Sequence, residues 1–389
     1  MPSSISPADQ VKQVWTSDDD TMAKQTATTR WPKIVQGTID DVGQTAAQSS
    51  CAAQREESFA IQSALKEMKD EMLQNKALPR IQTIFARSRY WQTYDVFKRQ
   101  KDSTFAKSRA AVEELASRYM HIITDSSLAA DGVTDDEAKK LLFIEMTEIA
   151  LWGNATDLSL LSNLSLEQIQ SLQGRKPSQS PKATLIDIIL DNAGFEFFTD
   201  VLYASYLLES GLASSIRFHV KDFPWFVSDV TSADVDSLFS HLQSPEIFPS
   251  REYLDRLLRR LSKHFDSGAL TVIQHPFWTA GCSFHKMHSQ APDLVEDLKA
   301  SSLVIFKGDL NYRKLVKDGL WPHTTPFKDA LGPLGSKSGL KILALRTNKA
   351  DVCVGIDSQS RVDALNEEAP HGAWIRNGKY AVVSFSDGE

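Results

Sequence analysis

The sequence predicts an α/β protein that has a mostly parallel sheet, covered by helices on both faces, and an α-helical region before it. Three observations predict this class. No alternating strand pattern of any length occurs before Ala183, short apolar runs recur after it, and helical segments separate several of these runs. Strands that alternate with helices are typical of parallel sheets. We therefore expect an α-helical N-terminal domain at residues 1–180 and an α/β domain at 181–389.

The N-terminal elements are predicted from the helical spacing of apolar residues. Ser58 to Asn75 and Ile81 to Phe97 both show this spacing. Asp135 to Trp152 begins with three acidic residues and is followed by Gly153, as expected at the two ends of a helix. The segment from Gln173 to Lys182 is rich in Ser, Pro and basic residues and indicates a linker or surface loop.

The second half of the chain contains the predicted strands. The first apolar run, Thr184–Leu190, is followed by a turn and an amphipathic helix. Two further helices are expected at Ser250–Phe265 and Ala291–Ala300. The apolar runs are Thr184–Leu190, Ile216–Val220, Leu270–Ile273, Leu303–Phe306, Lys341–Leu345, Val352–Val354 and Ala381–Phe385.

Composition narrows the class of function. The net charge is −7, from 43 Lys and Arg against 50 Asp and Glu, which does not favour nucleic acid as a partner. Three widely spaced cysteines indicate a reducing compartment. The N-terminus lacks the apolar core of a signal peptide, and no apolar stretch is long enough to cross a bilayer. We expect a cytoplasmic protein with no membrane partner, and nuclear access stays open.

Polar residues follow four of the predicted strands. Asp191 and Asn192 follow the first, and the other loops are Lys221 to Asp229, Lys307 to Lys314 and Arg346 to Asp351. In a parallel sheet all four loops lie at one edge, where ligands bind in open α/β folds. Asp and Asn oxygens suit a hard divalent cation, and Lys and Arg suit phosphate oxygens. The pattern therefore predicts a metal-assisted enzyme that acts on a small phosphate ester.

Each of these residues also has a purely structural interpretation. Asp191 and Asn192 are common helix caps, and an acid such as Glu196 in a first helical turn is favoured by the helix dipole. Lys307-Gly308-Asp309 is consistent with a turn, and Arg346 and Lys349 with solvated charges. The joint occurrence of these residues at one sheet edge is what favours the functional interpretation.

Other motifs are weaker. Cys282, His285 and His288 form a C-x2-H-x2-H cluster, but no fourth zinc ligand is evident, which favours a surface loop. No G-x-G-x-x-G, P-loop or G-x-S-x-G motif follows any predicted strand.

Four stretches resemble the signatures of the DUF89 damage-control phosphatases. The last of them contains the R-T-x-K pattern of subfamily III, the eukaryotic sugar-phosphate phosphatases or ARMT1-like proteins, and LWGNATDLSLL (151–161) and TTRWPKIV (28–35) resemble the helical region of that subgroup. The four stretches are LDNAGFEFFTD (190–200), FHVKDFPWFVSDV (218–230), VIFKGDLNYRKL (304–315) and RTNKADVCVG (346–355).

This resemblance implies a three-layer α/β/α sandwich with an added helical domain, and a divalent metal that is typically Mn²⁺, Co²⁺ or Ni²⁺, with Mg²⁺ a further candidate. Asp191, Asn192 and Asp229 would hold the metal, and Asp191 and Asn192 would also touch the substrate. Glu196 and Asp229 match positions that contact S-adenosylmethionine, and Lys349 would bind the substrate phosphate. The substrate site would be lined by Asp309, Leu310, Asn311, Tyr312 and Arg313, with Arg346 opening the R-T-x-K pattern.

The leading hypothesis is a metal-dependent phosphatase for small sugar phosphates, such as fructose 1-phosphate or fructose 6-phosphate. Water and the carboxylate of Asp191 or Asp229 stay open as the attacking group. Two alternatives also stay open: a carboxyl methyltransferase that uses S-adenosylmethionine, and a non-catalytic phosphosugar-binding protein. The oligomeric state does not follow from the sequence.

Overall fold

The computed structural model describes residues 11–76, 94–124, 135–153 and 184–389. A short π-helical turn, Thr26–Arg30, joins the first two helices. The helices are α1 Met22–Gln25, α2 Trp31–Gln48, α3 Ala52–Leu73, α4 Lys98–Lys107, α5 Arg109–Thr124, α6 Asp135–Trp152, α7 Phe195–Glu209, α8 Ser232–Gln243, α9 Arg251–Asp266, α10 Met287–Gln290, α11 Pro292–Lys299, α12 Gly308–Leu315, α13 Phe327–Ala330, α14 Gln359–Glu368 and α15 Ala373–Arg376. The strands are β1 Leu185–Ile189, β2 Ser215–Val220, β3 Leu270–Gln274, β4 Leu303–Lys307, β5 Ile342–Thr347 and β6 Ala381–Ser386.

The six strands form one sheet in the order β3-β2-β1-β4-β5-β6. The first five strands are parallel, and β6 runs antiparallel to β5. In the centre, Ile189 of β1 lies opposite His219 of β2 and Phe306 of β4. The predicted α/β class with a mostly parallel sheet is confirmed.

Apolar side chains cover both faces of this sheet. On one face, the Phe197 ring of α7 packs edge-on against Phe218 of β2, with ring centroids 5.7 Å apart. On the other, Trp278 and Phe284 from two 3-10 turns pack against Phe306, with centroids 6.2 and 5.6 Å apart. Since aromatic groups bury large apolar areas, these layers anchor the sheet.

The prediction of a strand at Val352–Val354 is wrong. The run is buried, but its backbone bonds to side chains instead of a neighbouring strand. The Val352 carbonyl accepts a hydrogen bond from Arg346 at 2.5 Å, and the Val354 N–H donates to the Tyr312 hydroxyl at 3.0 Å. The apolar pattern therefore indicates burial here, and not strand pairing.

The predicted helices that fall in the described residues are present, with end shifts of a few residues. Asp135–Trp152 matches its prediction, and Ser58 to Asn75 lies almost wholly in the longer α3. Of Ile81 to Phe97, residues 81–93 lie outside the described residues, and 94–97 are not helical, so that end of the prediction is wrong. The predicted linker, Gln173 to Lys182, also lies outside the described residues.

The chain forms two compact units. The first unit comprises Met1–Gln13, Ser103–Asp222 and Asp229–Glu389. The second unit comprises Val14–Asp102 and Phe223–Ser228. The second unit has its own apolar core between α2 and α3, which includes Val42 and Leu65. The predicted domain boundary at 180 falls outside the described residues and stays a prediction. None of the described helices is long and apolar enough to span a membrane.

Candidate functional site

The strand order reverses direction between β1 and β4, which are neighbours in the sheet but not in sequence. In doubly wound sheets the chain leaves such a pair of strands toward opposite sides, which opens a crevice at their carboxyl ends. Here β1 leads into Asp191 and Asn192, and β4 ends at Lys307, where α12 begins with Gly308. Two of the four predicted loops therefore meet at the switch point of the sheet.

Asp229 and Val230, which come after β2 in the chain, lie beside the residues that follow β1. Asn192 and Asp229 form an isolated antiparallel bridge, and the Val230 N–H donates to the Asp191 carbonyl at 2.9 Å. The side chains of Asp191 and Asp229 are buried, with residue exposures of 5% and 2%. The structure thus brings together the two aspartates and the asparagine that the sequence singled out.

The Asn192 carboxamide has a defined orientation. Its Nδ2 lies 2.8 Å from Oδ2 of Asp191 and 2.8 Å from Oε2 of Glu196. The atom between these two groups is the amide nitrogen, which donates to both carboxyl oxygens, as assigned from the hydrogen-bond network. The amide oxygen is therefore directed away from Glu196, which sits in the first turn of α7.

The electrostatics of this cluster favour a cation. Burial raises the pKa of Asp191 well above its ordinary value, and the nearby Glu196 and Asp229 raise it further, while Lys221 opposes them. The Lys221 ammonium donates to the Leu190 carbonyl at 2.9 Å and lies 3.5 Å from Oδ2 of Asp229. Lys221 offsets only part of the negative charge of these acids, so a bound cation would stabilise their ionised forms.

A second buried cation supports the cluster from β4, and sequence reasoning missed it. The Lys307 ammonium lies 2.6 Å from Oδ1 of Asp200 and 3.8 Å from Oε1 of Glu196, and it donates to the Ala150 carbonyl at 2.5 Å. Burial disfavours its charge, but Asp200 and Glu196 outweigh burial and keep the pKa of Lys307 above its ordinary value. Lys307 therefore places a positive charge near Glu196, which accepts a hydrogen bond from Asn192.

Asp309 organises the loop after β5. Its Oδ1 accepts hydrogen bonds from Nε of Arg346 at 2.8 Å and from the Lys349 N–H at 3.2 Å. Arg346 is fully buried, and its guanidinium carbon lies 4.3 Å from the ring centroid of Tyr312. The hydrogen bond between Asp309 and Arg346 therefore links the carboxyl ends of β4 and β5.

The other predicted residues of α12 have mixed surroundings. Asn311 is buried, and its Nδ2 donates to the carbonyls of Lys307 at 2.8 Å and Leu190 at 3.1 Å. Arg313 pairs with Asp318, with Nε to Oδ1 at 2.9 Å, and Leu310 is half-buried. Asn311 thus ties the end of β1 to β4, while Arg313 already has a carboxylate partner.

The Cys282, His285 and His288 cluster does not form a metal site. The Cys282 thiol lies 3.1 Å from Oε1 of Gln290, and Nε2 of His285 lies 2.9 Å from the Leu315 carbonyl. Throughout the described residues, no three side chains of His, Cys, Asp or Glu are grouped to hold a metal by themselves. The set at the switch point instead combines two carboxylates with a carboxamide, oxygens that suit hard divalent cations.

Comparison with known proteins identifies relatives of this chain. A profile of the damage-control phosphatase ARMT1-like domain matches residues 26–365. Damage-control phosphatase ARMT1 of Danio rerio is 34% identical over 319 residues, which cover 75% of this chain and 68% of that protein. The Rattus norvegicus protein of the same name is 33% identical over 315 residues, with the same coverage.

A crystal structure of a DUF89 family protein from Pyrococcus horikoshii covers 93% of this chain and 98% of its own, at 14% identity and a TM-score of 0.39. The match to the domain profile spans most of the chain, and the two relatives align over three quarters of it. The chain therefore belongs to the damage-control phosphatase ARMT1-like family.

Proposed function

We propose that this protein is a metal-dependent phosphatase for small sugar phosphates of the fructose 1-phosphate or fructose 6-phosphate type. The observation that carries the proposal is the group formed by Asp191, Asn192 and Asp229 at the switch point between β1 and β4. The R-T-x-K pattern at Arg346 to Lys349 supports membership of subfamily III. The substrate would be a small phosphorylated metabolite that enters at the carboxyl edge of the sheet.

Asp191, Asn192 and Asp229 would hold the divalent ion, with Mn²⁺, Co²⁺, Ni²⁺ and Mg²⁺ as candidates. Bound there, such an ion would polarise a phosphoryl oxygen. Within the chain, hydrogen bonds to Asp191 and Glu196 orient Asn192, and Lys221 offsets part of the negative charge of Asp229. These contacts support a site whose oxygen donors are held in place before any ligand binds.

We assign the phosphate contact to Lys349. In the described part of the chain its ammonium makes no ion pair, whereas Arg313 pairs with Asp318 and Arg346 with Asp309. Lys349 is half-buried at the carboxyl end of β5, next to Asp309. A lysine in this position supplies a point charge for a phosphate, with the two arginines holding the surrounding loops.

The test is phosphate release from a panel of sugar phosphates by protein stripped with EDTA, to which Mg²⁺, Mn²⁺, Co²⁺ or Ni²⁺ is added singly. We expect release that depends on the added ion and is lost in Asp191→Ala, while Asp363→Ala, which changes an exposed carboxylate on α14, keeps it. No release with any ion from folded protein would contradict the proposal. Trapping of phosphate on the protein would distinguish a carboxylate nucleophile from water.

A further inference from the structure

Among the described residues, nothing pairs with the outer edge of strand β6. It pairs with β5 on one side only, and no other described backbone hydrogen-bonds residues 381–386. The Asn348 N–H donates to the Tyr380 carbonyl at 2.8 Å, in register with the β5–β6 ladder. Because hydrogen-bonding direction alternates along an antiparallel strand, the even-numbered residues face β5 and the odd-numbered ones direct N–H and C=O outward.

The same odd-numbered residues expose an apolar face. Val383 and Phe385 are 58% and 57% exposed, and the half-buried Ala381 lies on the same side. Monomeric proteins protect edge strands with charges, proline or bulges, and β6 contains none of these within Ala381–Ser386. Charges flank the strand instead, with exposed Lys379 before it and exposed Asp387 after it.

We propose that β6 pairs antiparallel with β6 of a second copy of this chain, about a twofold axis at Val383. In this register Val383 lies opposite itself, Phe385 opposite Ala381, and Lys379 opposite Asp387. The outward N–H and C=O groups of both strands then bond to each other, and apolar side chains meet on one face. A shift by two residues would instead put Lys379 opposite Phe385 or Asp387 opposite Ala381.

The register is tested by disulfide trapping in a chain with Cys51→Ser and Cys282→Ser, because neither of these cysteines is fully buried. Facing residues of a hydrogen-bonded antiparallel pair have Cα atoms about 5.5 Å apart, a distance that a disulfide spans. We expect Val383→Cys to form a linked dimer on mild oxidation. Lys379→Cys is the matched exposed control. In the proposed register, residue 379 of one chain and residue 379 of the second copy would lie roughly 25 Å apart along the strands, too far for a disulfide.

The dimer itself is tested by sedimentation equilibrium of the full chain. We expect a concentration-dependent dimer that Val383→Lys weakens at least tenfold. Lys379→Glu also weakens it, because two glutamates then face Asp387 residues, and adding Asp387→Lys restores it. A monomer at every soluble concentration overturns the proposal, as does a dimer that these substitutions leave unchanged or equal trapping by the control cysteine.

Discussion

A β-carbon on Gly308 would lie 1.8 Å from Oδ2 of Asp191, far inside any permitted contact. Gly308 also has a φ of +80°, which glycine adopts without the steric cost that other residues incur. The first residue of α12 and the carboxylate that follows β1 are therefore neighbours only because residue 308 has no side chain. This contact couples the two loops at the switch point.

Gly308→Ala should therefore displace the Asp191 carboxylate. We expect the rate of metal-dependent phosphate release to fall about 100-fold, because a misplacement of ~1 Å can cost that much. Gly339→Ala is the matched control, because φ there is +74° and nothing lies within 4 Å of its added β-carbon. Equal activities of the two folded variants would contradict the role of Gly308.

Removal of the Lys307 ammonium should destabilise the fold, because it leaves buried acids without their cation. Burial raises the pKa of Asp200 to about 7, with Lys307 limiting the rise. We expect Lys307→Met to lower the free energy of unfolding by about 3–5 kcal/mol, as for other broken buried pairs. The free energy of unfolding is measured by urea denaturation for three variants: Lys307→Met, Asp200→Asn and the double variant. The loss in the double variant should differ from the sum of the two single losses by more than ~0.5 kcal/mol. Additive losses would mean that the pair does not act as a unit.

Lys349→Ala should weaken substrate binding without loss of the fold. Hydrogen bonds to charged groups contribute about 1.5–3 kcal/mol, so we expect kcat/KM for a sugar phosphate to fall roughly 10- to 100-fold. The Tm should stay close to that of the parent, since the Lys349 side chain makes no ion pair in the described residues. Lys341→Ala, at the opposite end of β5, is the control that should keep its kcat/KM. A parental kcat/KM in Lys349→Ala would exclude the phosphate contact.

Glu209 should make stability sensitive to acid. His264, at 3.3 Å, and Arg260, at 2.9 Å, together lower the pKa of Glu209 to about 2, although burial opposes them. Because the folded-state pKa lies below the ordinary value of 4.5, the stabilisation is complete above pH 4.5 and disappears as pH falls toward 2. We therefore expect Glu209→Gln to lower the Tm at pH 7 and to match the parent near pH 2.

Glu296→Gln is the control for this titration. Glu296 pairs with Lys299 at 2.8 Å, but its side chain is 72% exposed, and such surface pairs contribute little. Its Tm should follow that of the parent across the same pH range. A Glu209→Gln difference that stays constant from pH 7 to pH 2 would show that ionisation of Glu209 is not its source.

Six of the seven predicted strands exist, because each is an apolar run that pairs with a neighbour along its length. An apolar run indicates burial but not strand pairing. The pattern therefore could not distinguish Val352–Val354 from a true strand, because this run is equally buried but its backbone bonds to the side chains of Arg346 and Tyr312. Asp191 and Asn192 stood out in the same pattern because they directly follow a buried strand, whereas the metal-binding role of these two residues and of Asp229 was implied by the family resemblance and stays a prediction.

The roles of Lys307 and Gly308, which support the candidate site, could not be predicted from the sequence. In the sequence, Lys307 is consistent with the start of a turn, and only the folded chain brings it against Asp200 and the Ala150 carbonyl. Gly308 reads as an ordinary turn glycine, and its close contact with Asp191 depends on the pairing of β1 with β4. Contacts between segments separated by more than a hundred residues leave no local signal in composition or spacing.

The pairing of β1 with β4 also has a consequence for folding kinetics. In sequence these two strands are separated by β2, β3 and the helices between them, so their pairing closes a long loop at a high entropic cost. We therefore expect the crevice at the switch point to form late in folding, after much of the sheet has assembled. Recovery of enzymatic turnover during refolding should lag behind the return of helical circular dichroism.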